Sequence, residues 1–233
     1  IQIESPITKS AGGDATLTVR GNSRVSVFVG GPITSTSNKL NVVLWSDYDN
    51  NNDGGVSELG NITTNGGHVW LGGSSTNGGS LVWNGLTVGD GPSEGSVSAN
   101  WNALDLYANV TTSGGDFLAW AGDGYSGGVD GIASNGGSYT VNTGTGDVTL
   151  ITDYYLGSGI NGTLYRTTGV FTLAPNGGEF PSTFDFDPTG NPIDGYNFGG
   201  DFNYLDIREF DGLSGFVIGH YEGMSDNGTP LAL

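Results

Sequence analysis

The chain has 233 residues with 44 glycines, no cysteine, 11% aromatic residues and 24 acidic against six basic side chains, for a formal charge of −18. Glycine without a three-residue period excludes collagen, and the aromatic and apolar content argues against disorder. Without cysteine there is no disulfide framework or thiolate metal site, and so acidic a surface argues against nucleic-acid binding and anionic membranes while drawing cations.

In chain order the apolar runs are short and alternate. They read Ala15-Leu17-Val19, Val25-Val27-Val29, Val42-Leu44 and Phe117-Ala119, the period of two expected of strands. Between them lie Gly-Gly, Asn-Gly and Ser-Gly turns, where glycine reaches positive φ without steric cost. One phrase recurs: a β-branched residue, small polar residues, a glycine or polar turn, then alternating apolar residues. It begins at Ile7, Ile33, Ile62, Val110 and Ile132, in steps of 26, 29, 48 and 22, with 48 read as two periods of 24. Such a period predicts an all-β, parallel β-helix (β-solenoid) with about 22–29 residues per coil. At about 25 residues per coil the chain would make roughly nine coils, a rod about 40 Å long. Residues 1–233 are expected to form one solenoid segment, with residues 164–233 as less regular coils carrying larger loops, such as Phe184-Asp185-Phe186-Asp187-Pro188. No apolar run approaches the length of a transmembrane helix, so membrane insertion is not expected. The strand-like opening Ile1-Gln2-Ile3 reads as that of a processed product or a fragment of something longer.

The run Ile33-Thr34-Ser35-Thr36-Ser37-Asn38-Lys39-Leu40-Asn41-Val42-Val43-Leu44-Trp45-Ser46-Asp47 resembles the rungs of filamentous-haemagglutinin-like adhesins, large exported bacterial surface proteins. Ile62 to Gly73 and Arg208 to Gly219 continue the likeness. The resemblance implies a right-handed β-helix shaft, an extracellular or cell-surface location and no shared catalytic residues. Five tryptophans and the Asp-Pro loops depart from that pattern.

Acidic and aromatic residues are the ones that could carry chemistry. Asp47, Asp49, Asn51, Asp53 and Glu58 place oxygen side chains at positions 1, 3, 5, 7 and 12 of a calcium-type loop, although Asn52 stands where glycine is usual. A polar turn whose Asn and Asp side chains bond their own backbone reads the same stretch without metal. A looser acidic set is Asp185, Asp187, Asn191, Asp194 and Asp201. The aromatic residues Trp70, Trp83, Trp101 and Trp120, with Trp45, are candidates for an exposed ladder that stacks on sugar rings, or else core filling. In its strand Trp70 shares parity with His68, and Val69 with Leu71, which predicts that Trp70 faces outward. The histidines His68 and His220 read as ordinary rung or turn residues. Asp153 with Asp130 or Asp123 could supply paired carboxylates for glycoside cleavage, but a polygalacturonase-like set would want Gly-His-Gly, and only Gly219-His220 is present.

The expected function is therefore non-enzymatic: a structural or adhesive extracellular segment of a large bacterial surface or filament-forming protein. Its expected partners are a glycan or a host or neighbouring cell surface, with end-to-end self-association of open coils. A carbohydrate-binding β-helix using exposed Trp and Tyr is the alternative, and a β-helix polysaccharide-degrading enzyme the third reading.

Overall fold

The computed structural model describes residues 1–95, 102–122, 131–134, 138–153, 155–157, 163–176, 197–198, 202–203, 213–219, 225–226 and 229–230. Among these there are strands and turns and no helix, and so none long and apolar enough to cross a membrane. Most strands belong to three parallel sheets, and through the first twenty the chain visits them in rotation, apart from one hairpin. The first sheet takes Gln2–Ile3, Val25–Val27, Val56–Glu58, Leu104–Leu106, Ile132–Ser134, Tyr155–Gly157 and Phe202–Asn203, with Asn197–Phe198 added antiparallel. Ile7–Lys9, Ile33–Ser35, Ile62–Thr63, Val110–Thr111, Tyr139–Gly144 and Thr163–Thr167 form the second. The third is Ala15–Arg20, Leu40–Trp45, Val69–Gly72, Phe117–Trp120, Val148–Ile151, Val170–Ala174 and Gly215–Ile218.

Register is held residue by residue. Ile7, Ile33, Ile62, Val110, Val141 and Tyr165 are successive partners in the second sheet. Leu17, Val42, Val69, Phe117, Val148, Phe171 and Phe216 are successive partners in the third. These rows and their first-sheet counterparts Val25, Val56, Leu104, Ile132 and Tyr155 pack into one apolar cluster. Alternation places one parity of each strand in that cluster, because a one-residue slip would turn the whole row outward.

Two readings of the repeat are corrected. Ile62 pairs directly with Val110, so the 48-residue step is one step of the ladder and not two periods. The phrase at Ile132 belongs to the first sheet, where Ile132 pairs with Leu104, and the true counterpart of Val110 is Val141. Six to eight strands per sheet stand where nine coils were expected. The long step contains an antiparallel hairpin, Ser80–Trp83 with Leu86–Gly89, closed by Asn84 (φ 49°) and Gly85 (φ 76°). Two residues at positive φ make the two-residue turn whose twist suits a hairpin. Further on, Thr163–Thr167 pairs with Tyr139–Gly144 with one irregularity between Asn142 and Gly144, and Val170–Ala174 pairs in register with Val148–Ile151.

The recurring turn has its own physical logic. Thr64, Thr112 and Thr143 are fully buried, and each hydroxyl donates to the carbonyl three residues on, at Gly67, Gly115 and Gly146. Those hydroxyls also reach the neighbouring level, at the carbonyls of Thr112, Thr143 and Arg166. The chain then reverses through positive φ at Asn65 and Gly66, Ser113 and Gly114, or Gly144. A Cβ on Gly67, Gly115 or Gly146 would lie 2.3, 2.0 or 2.2 Å from the carbonyl oxygen of Leu40, Gly67 or Gly115, so the turns stack closer than any side chain permits.

Candidate functional site

The loop from Asp47 to Gly55 leaves the third-sheet strand Leu40–Trp45 and returns as the first-sheet strand Val56–Glu58. Asp47, Asn50 and Asn52 take φ of 47°, 51° and 59°, a region that Asn and Asp tolerate better than most residues. The loop bonds to itself. Asp47 Oδ1 accepts from the Asn51 N–H (2.9 Å), Asn51 Oδ1 accepts from the Asp53 N–H (3.0 Å), and Asn51 Nδ2 donates to Asp49 Oδ2 (3.3 Å). Asp47 is fully buried, and burial pushes its carboxyl up. Backbone N–H groups of Asn51, Asn52 and Asp53 oppose the shift, and the Asp49 charge adds to it. The second oxygens, Asp47 Oδ2, Asp49 Oδ1 and Asp53 Oδ1, are shielded from solvent and have no hydrogen-bond partner.

Glu58 does not join this loop network. It is paired in register with Val27 and Leu106, on the inward parity of Val56 and Leu104, and is fully buried. Its Oε2 accepts from the Ala108 N–H (3.1 Å), while Oε1 has no partner. Burial raises its pKa to about 8, with the Ala108 bond acting the other way. Alternation in Val56-Ser57-Glu58 was the available signal that Glu58 points inward. Among the described residues no three His, Cys, Asp or Glu side chains are grouped as a ready-made metal site.

The aromatic set is placed by parity and then covered. Trp70 lies on the outer side of the third sheet, as its alternation with Val69 and Leu71 predicts. It is nevertheless fully buried, in a second apolar cluster with Val43, Trp45, Leu118, Trp120 and the hairpin residues Leu81, Trp83, Leu86 and Val88. The hairpin covers this face, so Trp70, Trp83 and Trp120, exposed to 0, 1 and 4%, do not form an open sugar-stacking ladder. Gly72 makes room for the Trp70 ring, since a Cβ there would lie 2.7 Å from it. Trp45 Nε1 donates to Ser74 Oγ (2.6 Å) and Trp120 Nε1 to Asn176 Oδ1 (2.7 Å). Trp101, Asp123, Asp130, Asp185, Asp187, Asn191, Asp194, Asp201 and His220 lie outside the described residues.

His68 has a structural task. Asn41 Oδ1 accepts from the His68 N–H, His68 Nδ1 from the Asp116 N–H, Asp116 Oδ1 from the Asp147 N–H and Asp147 Oδ1 from the Val170 N–H, at 2.8 to 2.9 Å. Side-chain acceptors thus extend the backbone ladder across five levels of the third sheet. The same Nδ1 lies 3.4 Å from Asp116 Oδ2. Burial pushes the Asp116 carboxyl up, but contacts from His68, the Asp147 N–H and Asn84 bring it below its ordinary value. The Asn84 amide donates to Asp116 Oδ2 (2.6 Å), and Trp83 meets the His68 ring edge-on at 5.7 Å, pinning the hairpin tip.

On the first sheet, Ser57 Oγ donates to Asp105 Oδ2 (2.9 Å), the Arg24 guanidinium donates to both, and Asn102 Nδ2 donates to Asp105 Oδ1 (2.7 Å). Both Asp105 carboxylate oxygens therefore have donors, Oδ2 from other levels and Oδ1 from Asn102 on its own level. Compared with protein-family models, curated proteins and solved structures, the chain matches none of them.

Proposed function

We propose that this chain is a non-enzymatic structural segment, a right-handed β-solenoid that serves as shaft in a large, adhesin-like bacterial surface protein. The observation that carries this reading is the rotation of the chain through three parallel sheets, with single-residue rows held in register through six or seven strands. Each sheet is then one face of the solenoid, and one coil is one visit to all three. The polar side chains bonded along the ladder support a scaffold role. The Thr64, Thr112 and Thr143 hydroxyls and the Asn41, His68, Asp116 and Asp147 side chains bond to the backbone of the same or an adjacent level. Side chains used this way fix register and are not free to act on a substrate. The excess of acid over base suits a soluble, self-repelling exterior.

The test is localisation and shape together. Antibodies raised against this segment should label the outside of intact cells, and small-angle scattering should give an elongated particle of near-constant cross-section. Label confined to the cell interior, or turnover of a polysaccharide by the purified chain, would overturn the proposal.

A further inference from the structure

We propose that Asn84, at the tip of the hairpin that covers the third sheet, is a site of spontaneous deamidation, and that its conversion unfastens the hairpin. Asparagine is most labile before glycine, because the backbone nitrogen of the next residue attacks the side-chain amide and a Cβ there would crowd the approach. Three Asn-Gly pairs lie wholly within the described residues: Asn65-Gly66, Asn77-Gly78 and Asn84-Gly85. All three asparagines are exposed, so exposure does not choose between them. The attacking nitrogen does. The Gly66 N–H donates to the Thr112 carbonyl and the Gly78 N–H to the Tyr48 carbonyl, so each must first break a bond. Among the described residues the Gly85 N–H has no acceptor. Gly85 is exposed, and the place a Cβ would take is open on every side.

The reaction needs water and nothing else. Gly85 N gives its proton to solvent and bonds to Asn84 Cγ, closing a succinimide ring. The Cγ–Nδ2 bond breaks, and Nδ2 takes up a proton and leaves as ammonia. Water then opens the ring at either carbonyl, giving aspartate or isoaspartate. Before closure the amide must leave Asp116 Oδ2, to which Asn84 Nδ2 donates at 2.6 Å, and swing away from His68 Nδ1 at 3.4 Å. The rate therefore reports how often the tip lifts. Afterwards a carboxylate stands where the amide donated, so two negative charges face each other with no donor between them. Isoaspartate also brings its Cβ into the main chain, which spoils the two-residue turn. Both products remove the bond that ties the tip to the ladder. The hairpin covers Trp70, so losing that tie admits water to the outer apolar cluster.

The whole chain, incubated folded at mildly alkaline pH, is followed by peptide mapping with isoaspartate assignment. Asn84 should convert at least about fivefold faster than Asn65 or Asn77, roughly the factor that one backbone hydrogen bond commands. In guanidinium chloride the three rates should draw level, since the bonds that separate them are gone. As Asn84 is lost, acrylamide should quench the tryptophan fluorescence more strongly, and fresh Asn84→Asp should match the aged chain without incubation. Asn65 or Asn77 converting as fast as Asn84 in the folded chain would overturn the assignment. So would an Asn84 that stays intact when folded but converts in denaturant. Full conversion of Asn84 with unchanged quenching would overturn the unfastening, and the aged native chain gives that result even where the variant fails to fold.

Discussion

Glu58 is a carboxyl group set among Val27, Val56 and Leu106 in the interior, with one oxygen unpartnered. An isolated charge there would be expensive, so the group holds its proton to about pH 8, against an ordinary value of 4.5. The folded state therefore binds one more proton than the unfolded state between those limits. Stability from this group is full below about pH 4.5, falls as pH rises through the window, and levels off above pH 8. The loss is on the order of 5 kcal/mol for a shift of this size. Urea denaturation of the native chain from pH 5 to pH 9 should show that decline, and Glu58→Gln should flatten it, since the amide keeps the shape without the charge. A native slope that survives Glu58→Gln would place the titration elsewhere. The same residue marks where spacing misleads: an acid twelve positions into an Asp-rich loop suggests a calcium ligand, but the strand parity of Val56-Ser57-Glu58 turns it into the core.

At the level of the turn, glycine meets two separate demands, and the sequence displays the glycines without saying which demand each one meets. Gly66 and Gly114 sit at φ of 90° and 110°, whereas Gly67 and Gly115 are required by the turn beneath them. Gly13 occupies the corresponding place in the first copy of the phrase, yet a Cβ there would meet nothing within 4 Å. Gly115→Ala forces a methyl group to 2.0 Å from the Gly67 oxygen, and the stacked turns can relieve it only by separating. A cost of roughly 2–3 kcal/mol is expected, as for other overpacked sites, while Gly13→Ala should lie within about 0.5 kcal/mol of the parent. Chemical denaturation of the two variants makes the comparison directly, and equal effects would remove the stacking argument. The hairpin was legible in part. Leu81 and Trp83, then Leu86 and Val88, alternate on either side of Asn84-Gly85, which is a two-residue hairpin signal. Parity does not say where that hairpin lies, so it turns Trp70 outward without showing that the hairpin covers it.

Across the whole molecule, periodicity disclosed strands and turns more readily than it disclosed register. The phrases at Ile7, Ile33, Ile62 and Val110 do stand in one row. The Ile132 phrase does not, because small polar residues followed by glycines resemble one another wherever the chain turns. Pairing partners settle such choices, and they are set by which apolar row continues the interior. The charge balance is the other property that belongs to no single element. Four of the six basic residues, Lys9, Arg20, Arg24 and Lys39, lie in the first 39 positions, so the remainder of the chain is more acidic than its total suggests. Parallel stacking brings successive levels within about 4.8 Å of each other, so acids repeated along the ladder, such as Asp116 and Asp147, repel across a distance shorter than the screening length at about 0.15 M salt. Self-repulsion of this kind weakens the compact state. Sodium chloride should therefore raise the melting temperature progressively from low ionic strength to about 0.4 M, where the screening length falls to about 5 Å, the single-level distance. The rise should be the same for sodium and potassium and should persist in Asp49→Asn/Asp53→Asn, because it comes from the summed charge and not from one loop. A melting temperature indifferent to monovalent salt would mean that hydrogen bonds to the Asp116 and Asp147 carboxylates already offset their repulsion locally, leaving no net charge strain for salt to relieve.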